Sequence, residues 1–493
     1  MQISARAFRV ILPLGLMAGL GACSGGSAPT VDIDVIGAES APFETGIRLS
    51  EAGRLVRAAT AEGLVALDEQ GRVIPAFADR WIVTDDGLSY IFRLRDGSWP
   101  DGTEISGESA RQALRQALAA LRGTPLALEF AGINEIRAMA GRVVEIRLSR
   151  PAPELLQLLA QPELGLLRKG KGGGPMTLKR EGPLALLTPI PPEQLGLPQA
   201  PDWAEQARSI RLHAVPANVA VKRFGDGDVD VVLGGRFETY PLGEAAAGLS
   251  RRSLRVDPAP GLLGLAFVAA TGPLAAPETR EALAMAIDRE GLASALGVGG
   301  WQPTTRLVGI GSAGDAGTIG ERWTDLAPAG RRTQAAARIA RWKAQHGPVP
   351  ALRMTLPEGP GADILFVRLA ADFAGIGVPL HRVKEGEKVD LRLIDLVARF
   401  ARQDWYLNQL SCAAGRSLCS KAADARLAEA RAADDPARQS ALLAEAEAEL
   451  TAANVYIPLG PPVRWSLARE RATGFAINPL AFHPLPPLAL RPR

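Results

Sequence analysis

The chain has 493 residues, of which 47% are apolar and 22% are charged, as is usual for a globular protein. This length exceeds what a single hydrophobic core usually serves, so it predicts two or three domains. The formal net charge is only +3. That near-balance argues against a nucleic-acid partner, because such partners require a concentrated basic surface.

The N-terminus has the pattern of an export signal. Two arginines precede an apolar run at 10–20, which is too short to span a bilayer core of about 30 Å as a helix. The sequence Leu-Gly-Ala-Cys that ends at Cys23 resembles a bacterial lipobox. We therefore predict a lipoprotein signal peptide at 1–22, lipidation of Cys23 and a flexible tether at 23–30. The alternative is an ordinary signal peptide with a chance cysteine.

The segment after the tether begins with a strand and continues into a region rich in hairpin signals. Residues 31–36 alternate apolar and acidic side chains, which predicts a strand with one polar face. An Asp-Asp-Gly sequence at 85–87 lies between two β-type runs and predicts a tight turn. A helical spacing of Ala and Leu follows at 109–121, and another β-type run at 143–148. The region 64–148 is therefore expected to form a mixed β subdomain.

The second half of the chain alternates strand and helix patterns, as an α/β domain does. Single helices are predicted at 277–296 and 422–450, and strands at 262–268 and 389–394. Before them, the Pro-rich stretch 183–202 is expected to be irregular.

The cysteine count predicts one disulfide. The chain has three cysteines, Cys23, Cys412 and Cys419. If Cys23 carries lipid, an even pair remains in a compartment that permits disulfides. We predict a local disulfide between Cys412 and Cys419; two free thiols are the alternative.

Residues 62–102 form a run of glycine, aromatic and acidic positions that is similar to a known family. The matching positions are Glu62-Gly63-Leu64-Val65-Ala66-Leu67-Asp68, Gly71, Trp81, Gly87, Tyr90, Phe92, Gly97, Trp99 and Asp101-Gly102. Shorter segments at 225–230 and 277–289 agree in the same order. Together they resemble the extracellular solute-binding proteins of ABC importers, family 5, the group that binds peptides, nickel and opines.

The resemblance implies an α/β fold with two lobes, of the periplasmic-binding-protein type (type II, cluster C), with the extra mixed β subdomain in the first lobe. The expected domains are a first lobe at 31–260 with its β-rich subdomain at about 64–160, a second lobe at 261–455, and a C-terminal segment at 456–493 that returns to the first lobe. The lobes close around a small-molecule or short-peptide solute, and the closed form docks on an ABC permease in the inner membrane. The protein so implied is a periplasmic, lipid-anchored monomer that needs no cofactor and is not an enzyme.

Ligand residues are expected in the segment after the predicted strand 389–394. Peptide binders of the family carry there an aspartate that pairs with the α-ammonium of the peptide. If the register holds, Arg399 stands near that position and favours a carboxylate or phosphate over an ammonium. If the loop has slipped, Asp404 takes the amine, and the two alternatives stay open. Phe400 and Trp405 are further candidates, Trp405 as part of an apolar wall of the pocket.

Two other ligand candidates, Glu39 and Ser40, lie in the loop after the first strand, where the family's other lobe reaches the cleft. A protein-bound metal is not expected, because the four histidines are scattered without the paired spacing of a metal site. An alternative function on the same scaffold is a periplasmic sensor or chaperone-like lipoprotein that is not coupled to a permease. Ser24 bears on this alternative, since many Gram-negative lipoproteins without aspartate at that position are sent to the outer membrane.

Overall fold

The structure is a computed structural model that describes residues 30–248 and 252–491. The predicted signal peptide at 1–22 and the predicted lipidation site, Cys23, lie outside the described residues. Within the described ranges, the helices are all too short or too polar to cross a membrane.

The described residues form twenty strands that belong to five sheets. The strands are β1 (Thr30–Ile36), β2 (Val65–Leu67), β3 (Val73–Pro75), β4 (Ala78–Val83), β5 (Ser89–Leu94), β6 (Ile133–Met139), β7 (Val143–Leu148), β8 (Leu167–Arg168), β9 (Lys171–Gly172), β10 (Met176–Glu181), β11 (Leu184–Pro189), β12 (Ser209–Val215), β13 (Val231–Arg236), β14 (Leu254–Asp257), β15 (Gly261–Phe267), β16 (Leu352–Thr355), β17 (Leu380–Arg382), β18 (Leu391–Val397), β19 (Tyr456–Gly460) and β20 (Arg464–Ala468).

The same part of the chain contains fifteen α-helices, several of only one turn. They are α1 (Glu51–Thr60), α2 (Gly107–Ala120), α3 (Pro125–Glu129), α4 (Leu155–Leu159), α5 (Trp203–Gln206), α6 (Ala217–Asp226), α7 (Tyr240–Ala247), α8 (Pro277–Ala286), α9 (Arg289–Leu296), α10 (Pro328–His346), α11 (Pro360–Ala374), α12 (Gln403–Gln409), α13 (Lys421–Ala432), α14 (Pro436–Ala453) and α15 (Leu485–Leu488). Short 3-10 helices lie at Ala41–Phe43, Pro162–Leu164, Pro192–Leu195, Phe237–Thr239, Gly272–Ala275 and Cys412–Ala414.

The larger sheet has seven strands in the order β10-β11-β12-β1-β13-β20-β14. Strand β1 lies in its middle, parallel to β12 and β13, and buries Val31, Ile33 and Val35. Asp34, expected on a polar face, is also buried because helix α6 covers that side and Arg223 donates to its carboxylate at 2.6 Å. Burial raises the pKa of Asp34 to about 6, although the charge of Arg223 acts in the opposite direction.

The second sheet has five strands in the order β17-β16-β18-β15-β19. Strand β15 pairs antiparallel with β18 and β19, whereas β16 is parallel to β17 and β18. Helices α8 to α11 pack on this sheet through buried residues such as Leu283, Leu292, Ile339 and Leu369. Each sheet therefore organises one lobe, and the predicted two-lobed α/β fold is confirmed.

The chain passes between the two sheets twice, and both connections contain prolines. The first is 258–260, between β14 and β15, and the second is 461–463, between β19 and β20. Because β19 pairs with β15, the return to the first lobe occurs after residue 460. The expected domain boundary at 455/456 precedes that strand. Two adjacent connections of this kind are the elements about which two lobes rotate in a hinge motion.

The β subdomain of the first lobe is built on the antiparallel sheet β4-β5-β7-β6. Its hairpin turn contains Gly87, whose φ of 68° is a conformation that glycine adopts without strain. Phe92 and Trp99 are buried in its core and are therefore packing residues. Helix α2 begins at the cap Ser106, which forms a reciprocal capping box with Ser109.

Three predicted elements differ from the structure. The helix expected at 277–296 is two helices, because Asp288 caps a new start by accepting from the Gly291 N–H. The helix expected at 422–450 is also divided, since Asp435 caps α14 and Pro436 occupies its first turn. The stretch 183–202 is not wholly irregular: strand β11 pairs with β10 and β12 and buries alternate side chains.

Candidate functional site

A cavity of about 780 Å³ lies between the two sheets, next to both interlobe connections. The ends of strands from both lobes form its wall: Ile36 of β1, 234–236 of β13 and 395–397 of β18. Ligands of open α/β sheets bind outside the carboxyl ends of the strands. The volume falls within the usual range for small-molecule sites, about 300–1,000 Å³.

The wall is rich in charged side chains, and arginine is the commonest of them. Those in the described chain are Arg48, Arg54, Arg236, Arg399, Arg416, Arg464, Glu51, Glu129, Glu163, Asp257 and Asp395. Most of these groups are already paired with one another, so the pairing pattern decides which of them remain available to a solute.

Arg399 joins the two lobes through Glu163. Its Nη2 lies 2.7 Å from one carboxylate oxygen of Glu163, and its Nη1 lies 3.1 Å from the other. Nη1 also donates to the side-chain oxygen of Gln161 at 2.6 Å. Burial alone raises the pKa of Glu163, but the charges of Arg399 and Arg54 outweigh it and lower the value to about 2. The guanidinium of Arg399 is therefore engaged by a protein carboxylate at the cavity wall.

A second ion pair joins the lobes beside the connection at 461–463. Nη1 of Arg464, the first residue of β20, lies 2.8 and 3.0 Å from the carboxylate oxygens of Asp395 on β18. Nε of Arg236 is 3.8 Å from the same carboxylate. Burial lowers the pKa of Arg464, and the charge of Asp395 raises it.

Glu129, the last residue of α3, is a wall residue that the sequence pattern did not indicate. Its carboxylate accepts from the side-chain amides of Asn408 at 3.3 Å and Gln409 at 3.4 Å. Burial, and then the charge of Asp404, raise the pKa of Glu129 to about 8. At neutral pH this carboxyl is largely protonated, so it adds little negative charge to the cavity.

The structure brings only part of the predicted ligand set to the cavity. Arg399 and Trp405 are wall residues, and Trp405 packs edge-to-face on its neighbour Tyr406 with ring centroids 5.1 Å apart. Phe400 is 2% exposed and belongs to the core. Asp404 lies outside this wall and pairs with Arg402 at 3.4 Å.

The two candidates after the first strand lie elsewhere. Glu39 and Ser40 are exposed, in the loop that leads to the 3-10 helix Ala41–Phe43. The described wall of the cavity takes its residues from that region at Ile36 and again from 47–51. A role of Glu39 or Ser40 in ligand contact stays a prediction.

Cys412 and Cys419 form a disulfide, with their Cα atoms 5.0 Å apart. The loop that they close contributes Arg416 to the cavity wall. Within residues 30–248 and 252–491, no three His, Cys, Asp or Glu side chains are grouped so that they could hold a metal ion.

Two lobes with a polar cavity at their junction define a solute-binding protein. Residues 72–349, more than half of the chain, match the family model of bacterial extracellular solute-binding proteins, family 5. The chain belongs to this family, and the resemblance carried by its motifs is confirmed.

Solved structures share the whole fold. The murein tripeptide binding protein MppA of Escherichia coli superposes with a TM-score of 0.79 at 18% identity, over 94% of this chain and 98% of that chain. Haemophilus influenzae OppA, in complex with the peptide RPPGFSPFR, superposes with a TM-score of 0.78 at 17% identity, over 94% of this chain and 99% of that chain. At these identities the likeness establishes the fold.

Sequence relatives are distant. The probable di/tripeptide-binding protein 5 of Pseudomonas aeruginosa is 25% identical over 467 residues, which is 83% of this chain and 86% of that protein. The probable deoxycholate-binding periplasmic protein YgiS of E. coli is 34% identical over 121 residues. That second match spans only 21% of this chain and 23% of YgiS.

Proposed function

We propose that this protein is the substrate-binding lipoprotein of an ABC importer. It captures a small peptide-like or anionic solute in the interlobe cavity and delivers it to a permease in the inner membrane. The observation that carries the proposal is the cavity of about 780 Å³, enclosed by strand ends of two lobes that are joined by two adjacent connections.

Capture proceeds by closure of the lobes about the connections at 258–260 and 461–463. The ion pairs Arg399–Glu163 and Asp395–Arg464 join residues of opposite lobes. They hold the lobes in the closed arrangement. No bond of the solute is made or broken, so binding energy serves only selection and retention.

The charge of the wall favours an anionic solute. Arginines outnumber acidic residues in the described wall, and Glu129 is largely protonated at neutral pH because its pKa is about 8. Arg399 stands at the wall but is already paired with Glu163, and Asp404, the alternative amine-binding residue, lies outside the wall. Trp405 and the leucines of the wall supply apolar area for the rest of the molecule.

The proposed location is the periplasmic face of a bacterial membrane, with Cys23 lipidated and the protein acting as a monomer without a cofactor. The signal pattern at 1–22 supports the anchor. The Cys412–Cys419 disulfide is in keeping with an oxidising compartment. Family 5 proteins are extracellular by description, which agrees with this location.

The first test is native mass spectrometry of the protein purified from its own host. A co-purified solute of a size that fits the cavity is the expected result. Calorimetry then compares the wild type with Leu126→Trp, which places a larger side chain at the cavity wall. Leu197→Trp, at an exposed leucine outside the wall, is the control. Loss of binding in both variants, or in neither, contradicts the proposed site.

A transport assay tests the coupling to a permease. The host strain that lacks this protein is expected to lose uptake of the identified solute, and the wild-type gene to restore it. Binding without any uptake defect would favour the sensor or chaperone-like alternative.

A further inference from the structure

Arg416 differs from the other arginines of the cavity wall. Arg54, Arg236, Arg399 and Arg464 each lie within about 4 Å of a carboxylate oxygen, and Arg48 is exposed to solvent. For the half-buried Arg416, the described residues supply neither a hydrogen bond nor an ion pair, and its Nε is buried without a partner. Burial, and then the charge of Arg399, lower the pKa of Arg416.

The loop that carries Arg416 is fastened at both ends. The disulfide closes it, and the N–H of Cys412 donates to the carboxylate of Asp424 on α13 at 3.2 Å. On the other side, the N–H of Leu418 donates to the carbonyl of Phe267, the last residue of β15, at 2.6 Å. The guanidinium therefore starts from a loop whose backbone is already ordered, which lowers the entropic cost of contact with a solute.

We propose that Arg416 binds a carboxylate group of the solute, and that the disulfide holds the loop in place for this contact. This inference rests on the proposed function and names the chemical class of its solute, an organic acid or a peptide with a free carboxylate. The planar guanidinium matches a carboxylate through two parallel hydrogen bonds. A carboxylate also removes the repulsion between Arg416 and Arg399, whereas an ammonium would add to it.

The wall fits a single carboxylate at this place. Glu163 already occupies Arg399 with both of its oxygens, so Arg416 is the half-buried cation that remains for the solute among the described wall residues. One unpaired positive charge balances one carboxylate, and the rest of the solute lies against the other wall residues.

The test compares acids with their neutral amides. Isothermal titration calorimetry measures trialanine against trialanine amide and glutarate against glutaramide, on oxidised wild-type protein and on Arg416→Gln. In whichever pair binds, the wild type is expected to bind the acid roughly 10- to 100-fold more tightly than the amide, the range typical of a charge-assisted hydrogen bond. Arg416→Gln is expected to lose this preference, and Arg416→Lys to keep part of it.

Two further variants separate the contact from folding. Arg392→Gln removes an exposed arginine of β18 that lies outside the wall, and it is expected to keep the preference. The double variant Cys412→Ser with Cys419→Ser keeps Arg416 but releases the loop, so the acid is expected to bind several-fold more weakly with the amide unchanged. Thermal unfolding of each variant checks that it is folded.

Each outcome decides the point. A preference for the acid that survives in Arg416→Gln overturns the role of Arg416 and leaves the proposed function standing. If the amides bind the wild type as tightly as the acids, the role of Arg416 is likewise overturned and the proposed function is left standing. If neither acid nor amide of either pair binds the wild type, this inference fails, whereas the proposed function is decided separately by the co-purified solute.

Discussion

Glu163→Gln is the substitution whose effect follows most directly from the structure. The side chain is 7% exposed and makes two hydrogen-bonded contacts with Arg399 of the opposite lobe. Its pKa is about 2 in the folded protein, against an ordinary value of 4.5. This difference corresponds to about 3 kcal/mol of stability at neutral pH. Glutamine keeps the size of the side chain and removes its charge, so the variant is expected to lose about this amount.

The effect has a defined dependence on pH. Because folding depresses the pKa of Glu163, its contribution is complete above pH 4.5 and is lost as the pH falls towards 2. The difference in free energy of unfolding between the wild type and Glu163→Gln is therefore expected to be smaller by about 1.4 kcal/mol at pH 3.5 than at pH 7. Urea unfolding followed by tryptophan fluorescence measures it, since a guanidinium salt would screen the ion pair.

Glu108→Gln is the matched control. Glu108 pairs with Arg111 on the surface of α2, and its side chain is 62% exposed. Exposed pairs of this kind contribute little, so this variant is expected to unfold like the wild type at both pH values. The reasoning is refuted if Glu163→Gln destabilises no more than the control, or if its effect is the same at pH 7 and pH 3.5.

Three further predictions concern stability. Glu129→Gln is expected to be more stable than the wild type at pH 8.5 but not at pH 5. Folding raises the pKa of Glu129 to about 8, so the wild type loses stability as the pH rises from 4.5 through that value. Urea titrations of both proteins at the two pH values measure the difference. Asp395→Asn should lower the free energy of unfolding in urea by about 3 kcal/mol, because it leaves Arg464 buried without a counter-charge. A decrease below about 1 kcal/mol would contradict this expectation. Gly182→Ala and Gly196→Ala both place alanine at positive φ, which costs about 1 kcal/mol of stability in each variant. Only at Gly196 would the new Cβ overlap a backbone carbonyl, so the melting temperature of Gly196→Ala should fall further than that of Gly182→Ala.

Much of the fold could be predicted because it is written in local patterns. The alternation at 31–36 and the Asp-Asp-Gly turn at 85–87 correspond to β1 and to the turn between β4 and β5. The divisions of the long helices were missed because each depends on only one or two residues, Asp288 in the first helix and Asp435 with Pro436 in the second. Asp288 and Asp435 look like ordinary polar residues within a helical pattern until the backbone turns at them.

The site was less accessible to sequence reasoning, because its groups come from distant parts of the chain. Arg399 and Trp405 could be indicated since they follow a strand whose place in the family pattern is recognisable. Glu129, Glu163 and Arg416 meet at the cavity only through the folding of two lobes. Nothing in the sequence around Glu163 shows that its partner, Arg399, lies more than 200 residues away, just after β18.

The pairing pattern links closure to the presence of a solute. The pairs Arg399–Glu163 and Asp395–Arg464 involve protein groups alone, so they stabilise the closed lobes whether or not a solute is bound. A solute shifts an open–closed equilibrium only through its differential affinity for the two states. In our proposal Arg416 supplies that difference: closure without a solute leaves its charge half-buried beside Arg399, and a carboxylate compensates it. The empty closed form is then disfavoured, and the form presented to a permease is mainly the loaded one.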